Sequence, residues 1–129
     1  MPGETDLDTL LSALEPALDP VEYVYCTGPA AVGDPIATFR EAEGVTSILP
    51  RGEAERLGIP FTFPCRRITL TVHSSLEAVG LLARVAALLA ERGIGVNAVA
   101  AYYHDHLFVP PKRAEEAIEA LRTARRNRR

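Results

Sequence analysis

Little in this chain of 129 residues suggests a membrane, a disulfide scaffold or a nucleotide site. A membrane helix needs roughly 18 to 20 consecutive apolar residues, and the apolar stretch 81–89 is shorter and is broken by Arg84. The opening Met-Pro-Gly-Glu-Thr-Asp has neither the basic nor the apolar region of a secretory leader. A cytoplasmic protein without a membrane partner is therefore expected. Cys26 and Cys65 are the only cysteines, and in a reducing compartment they read as two separate thiols. Neither GxGxxG nor GxxxxGK[ST] occurs, and Gly93-Ile94-Gly95 reads as a helix cap followed by a strand glycine.

Catalytic patterns are also scarce. Ser74 and Ser75 adjoin His73, but neighbours on alternating strand faces do not converge as a triad. Glu77 and Glu91 fall on a solvated helix face, the wrong environment for a shifted pKa. The expectation is a protein that is not an enzyme, with no catalytic residue and no cofactor. Arg122, Arg125, Arg126, Arg128 and Arg129 crowd the C-terminus, yet no aromatic residue is interleaved and the net charge is −3. This reads as a basic helix end favoured by the helix dipole, with no nucleic acid as partner.

What is present is a globular composition, 47% hydrophobic and 24% charged, at a length that suits one domain or two minimal ones sharing a core. Charge is uneven. Residues 1–60 carry eleven acidic and three basic side chains, and residues 61–129 carry six and eleven. The two halves should attract each other.

The clearest local signal is residues 67–97. Ile68, Leu70 and Val72 alternate with Thr69, Thr71 and His73, the period of a half-buried strand. Leu82, Val85, Ala86 and Leu89 then form a helical stripe, with Glu77, Arg84 and Glu91 opposite and Gly93 as the stop. A further strand leads from Ile94 to a turn at Tyr103-His104-Asp105-His106, and the chain returns through Leu107 to Val109. Pro110-Pro111 opens a last helix with Ala114, Ala117, Ile118 and Leu121 inward.

The first half has similar parts. Leu7, Leu10, Leu11 and Leu14 make a helical stripe capped by Thr5 or Asp6 and closed before Pro16. Tyr23 to Thr27 reads as a strand and residues 28–35 as a loop. Ile36 to Glu41 and Val45 to Leu49 form a hairpin around Gly44, Arg51 to Leu57 a helix ending at Gly58, and Phe61 to Phe63 a short strand between Pro60 and Pro64. The boundary between halves falls at Pro64-Cys65.

The run from Val79-Gly80 through Gly93-Ile94 resembles the first half of an ACT domain, a β-α-β-β-α-β module. With Arg40-Glu-Ala-Glu-Gly-Val-Thr46 and Ala98-Val-Ala-Ala-Tyr-Tyr-His-Asp-His-Leu-Phe-Val109, the chain over about residues 6–122 is similar to small bacterial tandem ACT-domain proteins. It is also similar to the ACT pairs of cytosolic arginine sensors. The resemblance implies an α+β fold of two tandem ferredoxin-like ACT domains, residues 1–64 and 65–129, with antiparallel sheets and helices on one face. The chain opens on a helix and lacks a closing strand, so the halves are expected to complete each other's sheets. The implied function is regulatory or sensory, with a small amino acid held between the two domains and a homodimer as the assembly.

The turn Ser74, Ser75, Glu77, Ala78, Val79, Gly80 is the candidate carboxylate acceptor, because amides and hydroxyls at a helix start favour an anion; Ser74 or Ser75 serves equally well as a plain helix cap. Asp105 stands where the resemblance implies a ligand-facing aspartate for the ammonium, and is otherwise an ordinary turn residue. Asn97 offers donor and acceptor. Thr46, flanked by Arg40, Glu41 and Glu43, is expected at the same interface or in a satisfied sheet. The alternatives are a metal-binding protein or metal-dependent enzyme using His73, His104 and His106, by count a zinc set, and a ligand-free protein-interaction module. Against the metal stand the turn, which breaks the same-face argument for His104 and His106, and the lack of an identifiable second shell.

Overall fold

The computed structural model describes residues 3–126. Helix α1 (Leu7–Ala13) is capped by Asp6, whose carboxylate accepts from the Thr9 amide at 2.9 Å and the Thr9 hydroxyl at 2.8 Å. Strand β1 (Pro16–Gly28) leads through a loop to the hairpin β2 (Ala37–Glu41) and β3 (Gly44–Pro50), followed by α2 (Arg51–Leu57) and β4 (Thr62–Leu70). Helix α3 (Leu81–Glu91), β5 (Asn97–Ala100), β6 (Asp105–Val109), a 3-10 turn (Pro111–Arg113) and α4 (Ala114–Arg126) complete the order.

All six strands join one antiparallel sheet in the order β2-β3-β1-β4-β6-β5. The centre is the pair β1–β4, and it resolves the missing closing strand. β1 opens the first half's set and closes the second half's, while β4 does the reverse. Neither half holds four strands of its own.

The register puts Val24, Cys26, Leu49, Ile68, Leu70, Leu107 and Val109 on one face, and the helices cover that face. Leu81, Val85 and Leu89 of α3 are buried there with Leu10, Leu11, Leu14, Ala117 and Leu121, at about 1.5–3 kcal/mol for each large aliphatic side chain. The opposite face carries Tyr23, Ile48, Cys65 and Phe108, flanked by Tyr25 and Phe63. Its rings meet edge to face, with centroids 6.0 Å apart for Tyr25–Phe108 and 5.7 Å for Tyr25–Phe63.

Several elements differ from the sequence-based expectation. β1 begins at Pro16, seven residues before Tyr23, because it pairs with β4 from Pro16↔Leu70 onward across a register shift between Leu18 and Glu22. β4 runs through Pro64 where separate strands were expected. The register slips between Tyr23 and Tyr25, and Phe63 there has φ 52; such an irregularity accepts a residue with no N–H to donate. α3 starts at Leu81, so Glu77 precedes it. Its buried stripe is Leu81, Val85, Leu89, and Leu82 is exposed. The stop at Gly93 matches: Gly93 has φ 69, its N–H reaches Ala90 O at 2.9 Å, and Ile94 N–H reaches Leu89 O at 3.0 Å.

The opposite charges of the halves meet at Arg67–Asp19 (3.0 Å) and Arg125–Glu15 (2.9 Å). α4 carries Arg122 and Arg125; Arg128 and Arg129 lie outside the described residues. Cys26 and Cys65 are buried free thiols, and burial, then the Glu22 charge, pushes the Cys65 thiol up to about 12.

Candidate ligand-binding site

The bend after β4 and the hairpin tip before β6 meet at one end of the sheet. The His73 ring lies 5.1 Å from that of Tyr103 and 6.4 Å from that of Tyr102. Leu76 and Val79 of the bend are 66% and 82% exposed, and Tyr102 and Tyr103 of the hairpin tip 57% and 61%. Thr69 pairs with His106, so Asp105 stands one residue further toward the bend. It shares the helix-covered face with Leu107, and His106 takes the other.

The bend itself is tied down by the chain's own N-terminal segment. Glu4 forms a parallel bridge with Ser74; Glu4 N–H donates to His73 O and Ser75 N–H to Glu4 O, both at 2.8 Å. Ser74 is buried. The Ser75 hydroxyl accepts from Glu77 N–H at 3.0 Å, and Ala78 N–H donates to Ser75 O at 3.0 Å. Ser74 and Ser75 thus build the bend and do not cap α3, whose first residue is six positions on. The cap is Gly80, with φ 99 and no side-chain hydrogen bond. Leu81, Leu82 and Ala83 present the first-turn amides that an α-helix leaves without internal acceptors, and the dipole gives that end a positive potential. The first-turn amides of α3 are therefore those of residues 81–83, past the bend that Ser74 and Ser75 build.

Asp105 is half-buried and its carboxylate takes no hydrogen bond from a described residue. Burial raises its pKa above the usual carboxylate value, offset in part by His104. A desolvated carboxylate without a donor gains strongly from a cation placed beside it.

The other two candidates do not join this group. Asn97 is exposed and pairs with Phe108, three positions along β5 from the Ala100↔Asp105 pair and on the opposite face. Thr46 lies at the far end of the sheet, opposite Thr27 of β1, and its hydroxyl donates to Glu41 Oε1 at 2.7 Å. There it lines a separate cleft with Tyr25, Cys26, Thr27, Pro60, Phe61 and Thr62.

The three histidines do not form a metal set. His106 Nδ1 lies 3.0 Å from the Thr69 hydroxyl, and burial, then Arg67 and His104, lowers its pKa. Among the described residues no group of three His, Cys, Asp or Glu side chains is placed to hold a metal ion.

Sequence reasoning missed the Glu4 bridge, for which a single pairing leaves no periodic signal. It also missed the contact of His73 with Tyr102 and Tyr103, which joins residues about thirty apart; the adjacent tyrosines beside a turn were the available hint.

An ACT-domain family model matches residues 2–66 and a second ACT-domain model matches residues 62–123. Among solved structures, the chain is similar to a Vibrio cholerae protein of unknown function, described as a possible transport protein. That similarity is 44% identity over 92% of this chain and 95% of the other, with a TM-score of 0.83. An Agrobacterium tumefaciens protein shares 15% identity over 87% and 89%, TM-score 0.69. The ligand-free regulatory subunit of aspartate kinase from Thermus thermophilus shares 11% over 84% and 95%, TM-score 0.63. None of the curated proteins matches the chain. Among the described residues, no helix is long and apolar enough to cross a membrane.

Proposed function

The chain belongs to the ACT-domain family, and on that footing we propose that it is a non-catalytic regulatory protein that binds a small amino acid. The observation that carries this reading is the pairing of opposite electrostatic preferences at one end of the sheet. The start of α3, whose glycine cap offers no side-chain hydrogen bond, suits a carboxylate, and the half-buried, donor-free Asp105 suits an ammonium. A zwitterion satisfies both. The fold-level likeness to aspartate kinase regulatory subunits agrees with a sensing role.

In this reading residues 1–64 and 65–129 are the two repeat units. Side-chain selectivity comes from His73, Tyr102, Tyr103, Leu76 and Val79, whose exposed apolar surface a second copy would cover in a cytoplasmic homodimer. Regulation follows if the ligand has different affinity for the assembled and separate states.

The test is a thermal-shift panel of the proteinogenic amino acids. A ligand at about a hundred times its dissociation constant adds about 2.7 kcal/mol, several degrees at this size. The shift should vanish in Asp105→Ala. No shift with any amino acid sinks the sensor reading, and a shift retained in Asp105→Ala sinks the placement of the ammonium.

A further inference from the structure

The face of the sheet opposite the helices changes character along β4, β6 and β5. Toward the middle of the sheet it is apolar, with Cys65 and Phe108 buried and Val99 packed against their cluster. Toward the hairpin tip it turns basic and polar. Thr69 and Val99 both pair with His106, and Arg67 and Asn97 both pair with Phe108, so these side chains share that face. Ala101 N–H reaches His104 O at 3.0 Å and extends the ladder past Asp105, which returns His104 to the same face. Its ring lies 6.3 Å from that of His106.

Arg67, Thr69, His104 and His106 are half-buried, and Asn97 is exposed. On this face β4, β5 and β6 carry no carboxylate among the described residues. Asp19 of β1 adjoins Arg67, but the Tyr23 hydroxyl, the Val21 amide and Arg67 already engage it. Asp105 lies between the two histidines in sequence, on the helix-covered face, and feels the His104 charge. His106 therefore stands among basic neighbours. Burial, then Arg67 and His104, lowers its pKa, and an anion beside it reverses that balance. The Thr69 hydroxyl lies 3.0 Å from His106 Nδ1. A ring with bare Nδ1 accepts from that hydroxyl, whereas a protonated ring donates to it and leaves the hydroxyl proton for another acceptor.

We infer that this patch is an oxyanion site, in which the His104 and His106 imidazoliums, the Thr69 hydroxyl and the Asn97 amide take a tetrahedral dianion, a sulfate or a phosphoryl group. Two imidazoliums match two negative charges, and the Arg67 charge adds to the field. The rings must be protonated to hold the anion, so binding takes up protons and weakens as pH rises through the imidazole range. The site lies on the other face of the sheet from Asp105 and does not rest on the amino-acid reading.

The experiment titrates the full chain with sodium sulfate at constant ionic strength, following backbone amide and imidazole signals; sulfate keeps its double charge from pH 6 to 8. Saturable shifts are expected at Thr69, Asn97, His104 and His106, with affinity about tenfold higher at pH 6 than at pH 8 and with Gly33 and Thr46 unmoved. His106→Gln should weaken sulfate about tenfold and flatten the pH dependence. His104→Gln, at the turn, should weaken it several-fold and serves alone if the first variant loosens the hairpin. Acetate, a planar monoanion, should bind about tenfold more weakly. Methyl phosphate moves the same signals if the ligand carries a phosphoryl group, and signals that answer only to sulfate assign a sulfate. No saturable shift at these residues, a pH-independent affinity, or acetate binding as tightly as sulfate overturns the inference. Shifts confined to residues 81–83 also overturn it, and they leave the carboxylate end of the amino-acid site standing. A blank amino-acid panel, in turn, leaves sulfate at His106 untouched.

Discussion

Glu4 and Ser74 face each other as a parallel bridge, with Glu4 N–H on His73 O and Ser75 N–H on Glu4 O at 2.8 Å. Two hydrogen bonds thus decide which amides of the bend are available. Ser75 is taken, and the start of α3 is not.

The fit of this segment depends on Gly3. A Cβ there would stand 2.6 Å from His73 O and 2.7 Å from Ser75 N, both backbone atoms that do not yield cheaply. Gly3→Val should undock the segment and lose about 1–3 kcal/mol, the net value of two hydrogen bonds. Amide hydrogen exchange at Ser75 should accelerate while that of β4 stays slow. Unchanged exchange at Ser75 would show that the bridge is not what holds the bend.

Asp105 sets a pH dependence with a definite sign. Its folded pKa is raised by burial, so the folded state binds its proton more tightly than the unfolded state. The cost to stability is absent below the unfolded pKa of about 3.9 and complete above the folded value. Asp105→Asn should therefore be more stable than the parent at neutral pH, with the gap closing as pH falls through the folded pKa. Urea midpoints from pH 3 to 8 measure it; a constant gap contradicts the desolvation argument.

Asp19 should behave in the opposite way. Burial pushes its carboxyl up, but hydrogen bonds from the Tyr23 hydroxyl (2.7 Å), the Val21 amide (2.9 Å) and Arg67 (3.0 Å) outweigh this and leave it below the usual value. Its contribution is present above the unfolded pKa and lost as pH falls through the folded one. Asp19→Ala also strands Arg67, whose buried Nε already lacks a partner. A loss of about 2–4 kcal/mol is expected, with an acid limb of the stability profile shallower than that of the parent. A loss under about 0.5 kcal/mol would show that water replaces Asp19 in this network.

Much of the architecture was legible from local pattern. The helix 51–57 with Gly58 after it, the hairpin around Gly44 and the inward row Ala114, Ala117, Ile118, Leu121 all stand as the residues suggest. The start of α3 was not legible. Leu82 fits the stripe as well as Leu81 does, and only the direction of the incoming bend selects between them. For the candidate site, Gly80 and Asp105 were readable as a turn glycine and an acidic residue beside a hairpin, but their sharing one end of the sheet was not.

By itself the sequence determined whatever depends on neighbours within a few positions: helical and strand periods, the glycine that ends α3, the uneven charge, and the family resemblance carried by short motifs. Tertiary structure alone decided that β1 and β4 form a common centre, that a β-strand passes through Pro64, that Glu4 occupies the bend, and that Thr46 and Asn97 stand apart from Asp105. The physical reason is range. Side-chain period is written into successive residues, whereas strand order and face are settled by which distant segments bury the most apolar surface together.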